Sequence, residues 1–155
     1  MEDESTFNAI IQLLDGKNIS VTEHAPVRTS EEAAQVRGAT LDSGAKAMLL
    51  SDGAAFVLAV ISASKKLDSK MFKKLIKSKS LKFATEDDVL RLTKCIPGAV
   101  PPFGSIFGLK TYMDESLRAQ GTSINFNAGL RTRSIAMSLE DYLIAENPVI
   151  SCFSK

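Results

Sequence analysis

Ala45-Lys46-Ala47-Met48-Leu49-Leu50-Ser51-Asp52-Gly53-Ala54-Ala55-Phe56-Val57-Leu58-Ala59-Val60-Ile61 is the run that decides how this chain folds. Asp-Gly between two apolar runs is a hairpin signal, because the turn needs positive φ and glycine supplies it without steric cost. Both flanking runs are apolar at successive positions, so both faces of each strand expect burial and the hairpin belongs at the centre of a sheet. Lys46 breaks the pattern as the only charge between Asp42 and Asp52. A lysine is costly to bury unless it is paired or stands at a cavity mouth. Two readings follow: a strand-end lysine that snorkels to water, or a cation held rigidly at a site, as a phosphate clamp or with a lowered pKa.

Upstream of the hairpin, Ser5 opens a helix with Phe7, Ile10, Ile11 and Leu14 on one stripe and Gly16 past its end. Residues 19–24 alternate as a half-buried strand stopped by Pro26, and Thr29 with Glu32 reads as a capping box for a short helix ending at Arg37-Gly38. Downstream, Asp68 caps an amphipathic helix with Met71, Phe72, Leu75 and Ile76 inward, residues 81–84 form a short strand, and Thr85 starts another helix. Residues 106–109 and 111–113 read as short strands. Residues 122–127 and 132–137 make a second hairpin turning at Ala128-Gly129. Ser138 caps a helix over 139–145, and residues 149–153 add an edge strand. Helices and hairpins mix without regular β-α-β alternation. The expectation is a single α+β domain over residues 1–155, with a mixed, curled, barrel-like sheet surrounded by helices.

The 155 residues suffice for one full core, and 45% hydrophobic with 24% charged content is that of a globular protein. Nineteen basic against 18 acidic residues give a net charge of +1, which excludes a surface that coats nucleic acid wholesale but leaves room for a local basic patch. Residues 65–82 supply one, with eight lysines against one aspartate. Two distant cysteines, Cys95 and Cys152, and a lone histidine make a zinc site improbable, and no cofactor is expected. The acidic N-terminus is neither a secretory nor a transit signal, and the longest apolar run, residues 54–61, is too short for a bilayer. A cytoplasmic protein without a membrane partner is expected; no residue pattern assigns an oligomeric state.

No Ser-His-Asp, Cys-His or paired-carboxylate arrangement assembles, and phosphate-loop motifs are absent. His24, before a proline, reads as a structural hydrogen-bonding residue. Ile96-Pro97-Gly98-Ala99-Val100-Pro101-Pro102-Phe103-Gly104-Ser105-Ile106-Phe107-Gly108 can continue neither helix nor central strand, so it is a rigid loop, either plugging the core with its aromatics or walling a binding site. Gly129, with Leu130, Arg131 and Arg133 behind it, is either a turn glycine beside solvated arginines or a backbone N–H donor to an oxyanion or phosphate. Lys65, Lys66, Lys73, Lys74 and Lys77 are either a solvated helix face or a phosphate-binding one.

Three segments together carry a resemblance: Glu23-His24-Ala25-Pro26-Val27-Arg28-Thr29-Ser30-Glu31-Glu32-Ala33-Ala34, Gly44-Ala45-Lys46-Ala47-Met48-Leu49-Leu50 and Pro97-Gly98-Ala99-Val100-Pro101-Pro102-Phe103-Gly104, with Asn127-Ala128-Gly129 behind them. In this order and spacing, over residues 7–143, the chain resembles the YbaK-type domain, also called the prolyl-tRNA-synthetase-associated editing domain. The resemblance implies a free-standing aminoacyl-tRNA deacylase that hydrolyses mischarged tRNA, a task needed because a pocket rejects a slightly smaller amino acid poorly. It further implies that Lys46 orients the tRNA acceptor end near its terminal phosphate and ribose, that Gly129 offers its N–H to the ester carbonyl, and that Pro101, Pro102, Phe103 and Gly104 wall the aminoacyl pocket. Catalysis then leans on bound water and the ribose hydroxyl. Val27, Met48, Val100, Phe103 and Leu130 would line a pocket for a small side chain such as Ala, Cys, Ser or Thr. Lys65, Lys66, Lys73, Lys74, Lys77, Arg131 and Arg133 would bind tRNA, and a synthetase is a further candidate partner. Ala47 and Leu130 depart from the small polar residue and the histidine or serine that many family members carry there, so the amino acid removed is left open. The alternative is a non-catalytic tRNA- or synthetase-binding module of the same fold.

Overall fold

Strand β2 (Ala45–Ser51) and strand β3 (Phe56–Ser62) pair antiparallel from Ala45 opposite Ser62 to Ser51 opposite Phe56, closing the hairpin at Asp52-Gly53. Gly53 has φ +97°, and Asp52 Oδ1 accepts the N–H groups of Ala54 and Ala55 at 2.8 and 2.7 Å, which delays β3 to Phe56. The computed structural model describes residues 2–155. In it the hairpin lies inside a five-stranded sheet of order β4-β2-β3-β5-β8, completed by β4 (Lys82–Phe83), β5 (Lys110–Asp114) and β8 (Val149–Ser151). β4 runs antiparallel to β2, whereas β3-β5 and β5-β8 are parallel pairs. A second sheet orders β1 (Ile19–Glu23), β7 (Arg133–Ser138) and β6 (Ser123–Leu130), all antiparallel. The mixed α+β architecture stands as expected. Its strands form two open sheets, linked by a single parallel bridge between Gly44 and Asn125.

The hairpin is apolar on both faces because each face meets its own cluster. Leu49, Leu58, Val60 and Met113 join Ile10, Phe103, Phe126 and Tyr142 on one side. Leu50, Val57, Ala59 and Ile61 join Phe72, Tyr112 and Phe153 on the other. Successive strand residues point to opposite faces, so one hairpin serves both.

Caps set the helix limits. Asp68 and Thr85 open α3 (Ser69–Ile76) and α4 (Glu86–Thr93), and Ser138 opens α6 (Leu139–Glu146), each accepting a first-turn N–H. In α1 (Ser5–Leu13), Ser5 does not cap; its N–H donates to Asp3 Oδ1 at 2.8 Å. Strand β1 is more exposed than alternation implied, because it is an edge strand paired only to β7. Met71 points outward, leaving Phe72 as the buried anchor of α3. The strand expected at 106–109 is a 3-10 turn, Gly104–Phe107, closed by Gly108 at φ +70°. Helix α5 (Ser116–Ala119) was not expected.

Two polar ties, one buried and one half-exposed, fasten the C-terminal segment to the middle of the chain. Asp114, 2% exposed, accepts the N–H groups of Phe153 (2.6 Å) and Ser116 (2.9 Å) and the hydroxyl of Ser154 (2.6 Å). Burial pushes its carboxyl up, but these bonds outweigh burial and hold it below the usual aspartate value. A depressed folded value means that the stabilisation is complete above the unfolded value of about 3.9 and is lost as pH falls through the folded one. Asp114→Asn should therefore lower stability by about 1.5–3 kcal/mol at neutral pH, and the deficit should shrink as pH falls below the unfolded value, as read by denaturant unfolding across that range. Glu146 accepts from Ser105 N–H (3.0 Å), Ser105 Oγ (2.6 Å) and Thr111 Oγ1 (2.6 Å), and Thr111 in turn accepts Gly104 N–H at 2.9 Å. A Cβ on Gly104 would overlap Thr111 Oγ1 and lie 2.8 Å from the Leu109 carbonyl. Gly104→Ala should thus destabilise the chain by about 1–3 kcal/mol, a loss visible in its urea midpoint.

Candidate active site

Helix α2 (Ser30–Arg37) begins at Thr29, whose Oγ1 accepts Glu32 N–H at 3.1 Å, while the Glu32 carboxylate turns back to Arg28 N–H at 3.1 Å. It ends at Gly38, at φ +64°, so Arg37 occupies the last helical position. Between α2, the start of β2, the 96–100 loop and β6 opens a cleft of about 440 Å³. Arg28, Arg37, Lys46 and Arg131 line it, and no carboxylate does so among the described residues. Much of its apolar wall is small, with Val27, Ala33, Ala34, Ala45, Ala47 and Val100 beside Leu41 and Pro97.

Lys46 stands at the start of β2, half-buried, with Nζ donating to the Lys65 carbonyl at 3.3 Å. Burial pushes its ammonium below the usual lysine value; Glu31 pulls it back up, and Lys66 adds to the lowering. It is one of the four cations that line the cleft.

Arg37 is bound by neutral groups. Its Nε donates to Ser134 Oγ at 2.7 Å, Nη1 to Asn125 Oδ1 at 3.0 Å and Nη2 to Asn127 Oδ1 at 2.7 Å. Burial lowers it to about 10. Asn125 and Asn127 alternate with core residue Phe126, so β6 presents both amides on one face. His24 extends the network. Its Nδ1 lies 2.9 Å from the Ala25 carbonyl, which only accepts, so in the neutral ring Nδ1–H donates there and Nε2 takes the Ser134 hydroxyl proton at 2.8 Å.

The loop wall is a type II turn. Pro97 fixes its first corner, Gly98 takes φ +93°, and Ala99 N–H donates to the Ile96 carbonyl at 2.9 Å. Two bonds hang it on β6: Asn127 Nδ2 to the Gly98 carbonyl (2.7 Å) and Gly129 N–H to the Ala99 carbonyl (3.0 Å). The N–H groups of Gly98 and Val100, both cleft residues, find no partner among the described residues.

The cleft gathers Lys46, Val27, Val100 and Arg131 from the residues expected at the site. Several others are corrected. Gly129 is not in the turn; β6 continues through it to Leu130 with a bulge, and the turn lies at Arg131-Thr132. Its φ is +84°, its N–H is taken by Ala99, and a Cβ there would lie 3.0 Å from Thr6 Cγ2, so it is a close-approach glycine under α1 rather than an oxyanion donor. Met48 turns to the Phe72 cluster, since it shares that face with Leu50. Leu130 is buried away from the cleft. Pro101, Pro102, Phe103 and Gly104 are all buried outside it. Phe103 packs edge-on against Phe126 and Tyr142, and the Pro102 carbonyl accepts the Tyr142 hydroxyl at 2.6 Å. The loop is therefore divided: residues 97–100 wall the cleft and residues 101–104 plug the core.

Arg131 reaches the cleft with its charge paired to Glu2 at 2.8 Å. Arg133 is withdrawn altogether, bridging Glu4 at 2.6 Å and Glu23 at 3.3 Å over the Phe7 ring. Lys65, Lys66, Lys73, Lys74 and Lys77 make no ion pair among the described residues. Lys65 adjoins Lys46 through its carbonyl, and Lys73, Lys74 and Lys77 ring a hollow on α3 with Lys70 and Lys79. The sequence assigns no role of their own to Arg37, Asn125, Asn127, Ser134 and Gly98, although Gly98 and Asn127 fall in the segments that carry the resemblance. The one signal available was Asn125-Phe126-Asn127, two amides on the same face of a strand whose other face is core.

A family model described as "Aminoacyl-tRNA editing domain" matches residues 24–144. The Escherichia coli (strain K12) protein named multifunctional Ser/Thr-tRNA deacylase ProXp-y is 31% identical over 156 residues, covering 97% of this chain and 93% of that protein. The prolyl-tRNA editing protein ProX of Acetoanaerobium sticklandii is 36% identical over 106 residues, 66% of this chain and 65% of its own. A crystal structure of a candidate trans-editing enzyme for prolyl tRNA synthetase superposes with a TM-score of 0.86 at 22% identity, covering 97% of this chain and 98% of that one, which shows a shared fold.

Proposed function

This chain belongs to the aminoacyl-tRNA editing domain family, and we propose that it is a trans-acting hydrolase that cleaves the ester bond of mischarged tRNA, with residues 1–155 working as one editing domain in the cytoplasm. The observation that carries this reading is a cationic cleft, with Lys46 and Arg37 unopposed by any lining carboxylate, beside unpaired N–H groups at Gly98 and Val100. An aminoacyl ester is already reactive, so positioning and oxyanion stabilisation suffice. Water adds to the ester carbonyl, and the oxygen that gains charge is met by the Gly98 and Val100 N–H groups. The C–O bond to the ribose then breaks, and the ribose oxygen leaves with a proton. Lys46 holds the acceptor end. The wall of valine and alanine side chains suits a small aminoacyl group such as Ala, Cys, Ser or Thr.

The lysines from Lys65 to Lys77 support tRNA as the partner, its phosphates meeting their unpaired ammonium groups. The same lysines favour the second reading, a non-catalytic module for tRNA or for a synthetase. A panel of mischarged tRNAs decides between them. Hydrolysis of at least one member by the wild type, absent in Lys46→Ala, is expected; salt-sensitive tRNA binding without hydrolysis of any member would establish the module.

A further inference from the structure

We propose that Arg37 is an anion-binding residue that positions the phosphodiester next to the 3′-terminal adenosine of the tRNA, separately from Lys46. The inference rests on the function proposed above and adds a second cation with its own ligand.

Three observations carry it. First, the guanidinium is desolvated and has no carboxylate partner, in contrast to Arg131 and Arg133, which are paired to Glu2, Glu4 and Glu23. A buried cation that persists among neutral groups is costly, and an anionic ligand is what offsets that cost. Second, its orientation is fixed before any ligand arrives. Ser134, Asn125 and Asn127 take one N–H each from Nε, Nη1 and Nη2. Of the five N–H donors of a guanidinium, one on Nη1 and one on Nη2 are left to donate to a phosphate's oxygens. Third, it sits at the site: Nη1 lies 3.9 Å from where a Cβ on Gly44 would stand, two residues before Lys46, and both cations line one cleft.

A purely structural role, tying α2 to β6 and β7, is the competing explanation, and the experiment separates the two. The probe is an acceptor-stem RNA ending in CCA, carrying serine, threonine or alanine through a non-hydrolysable 3′-amide. It is made with either an ordinary or an uncharged methylphosphonate linkage between its last two nucleotides. Wild type should bind the uncharged-linkage RNA about tenfold more weakly. Arg37→Gln should bind both RNAs equally and weakly, Arg37→Lys should recover part of the discrimination, and Lys46→Ala should keep it. Asn125→Asp guards against a folding defect: it places a carboxylate on Nη1 while keeping the tie to Arg37, and the Ser43 hydroxyl, 2.8 Å away, can donate to it in exchange for its present bond to the Thr40 carbonyl. Asn125→Asp should fold and lose the discrimination, a result that a merely structural arginine would not give. Indifference of the wild type to the linkage, or full discrimination by Arg37→Gln or Asn125→Asp, overturns the proposal. Deacylation of the tRNA panel with no linkage effect would sink Arg37 as a phosphate ligand and leave the editing function intact. Failure of the wild type to bind either RNA would sink both.

Discussion

Lys46→Ala should cut deacylation about 100-fold or more and leave the unfolding midpoint close to that of the wild type. The rate effect follows from geometry. The ammonium is the cation at the mouth of β2, and a substrate held without it samples many orientations relative to the Gly98 and Val100 N–H groups. The small stability effect follows from what Lys46 does in the resting chain. It makes one 3.3 Å bond to a carbonyl and is partly desolvated, so its removal loses a weak interaction and relieves an unfavourable one. Surface-type changes of this kind stay within about 0.5 kcal/mol. Single-turnover hydrolysis beside a thermal melt checks both halves. A drop in melting temperature matching the drop in rate would make Lys46 structural instead.

Phe103→Ala should do the reverse. The ring is 0% exposed and packs edge-on against Phe126 at 5.4 Å and Tyr142 at 5.2 Å. Deleting such a ring leaves a cavity and costs about 3–5 kcal/mol, much of a typical domain's total stability. The variant should unfold at markedly lower denaturant. At temperatures where it is folded, the order in which it prefers mischarged tRNAs should stay unchanged, since the cleft lies against residues 97–100. A changed preference with little loss of stability would return Phe103 to the pocket.

The contrast between these two residues marks what can be read in the amino-acid sequence and what cannot. The hairpin and the capped helices were legible because their signals are local: Asp52-Gly53, Asp68, Thr85 and Ser138 each act within four residues. Lys46 was legible because a charge inside an apolar strand is an exception that needs a cause. The Pro/Gly/Phe loop was recognisable as rigid, but which half faces ligand depends on Tyr142 and Phe126, 39 and 23 residues away along the chain from Phe103, and composition carries no trace of that. Gly129 illustrates the same limit. Its glycine is required, yet by the approach of Thr6 and Phe7 rather than by a ligand. Arg37 looked like an ordinary basic residue at a helix end. Its partners at positions 125, 127 and 134 come from the far end of the chain, so only the tertiary fold reveals that it is desolvated without a counter-ion.

The pairing of β1 with β7 fixes when this protein becomes complete during synthesis. Residues 19–23 wait for residues 133–138, and Glu2 waits 129 positions for Arg131. The hairpin of β2 and β3 needs only its own short turn and can form while the chain is still emerging. Helix α2, by contrast, is held to Asn125, Asn127 and Ser134, so the cleft between it and β6 closes only after nearly the whole chain has left the ribosome. A nascent chain that already carries Lys46 in its strand therefore has no site, and the capacity to act on a tRNA ester arrives late, with the last antiparallel pairings.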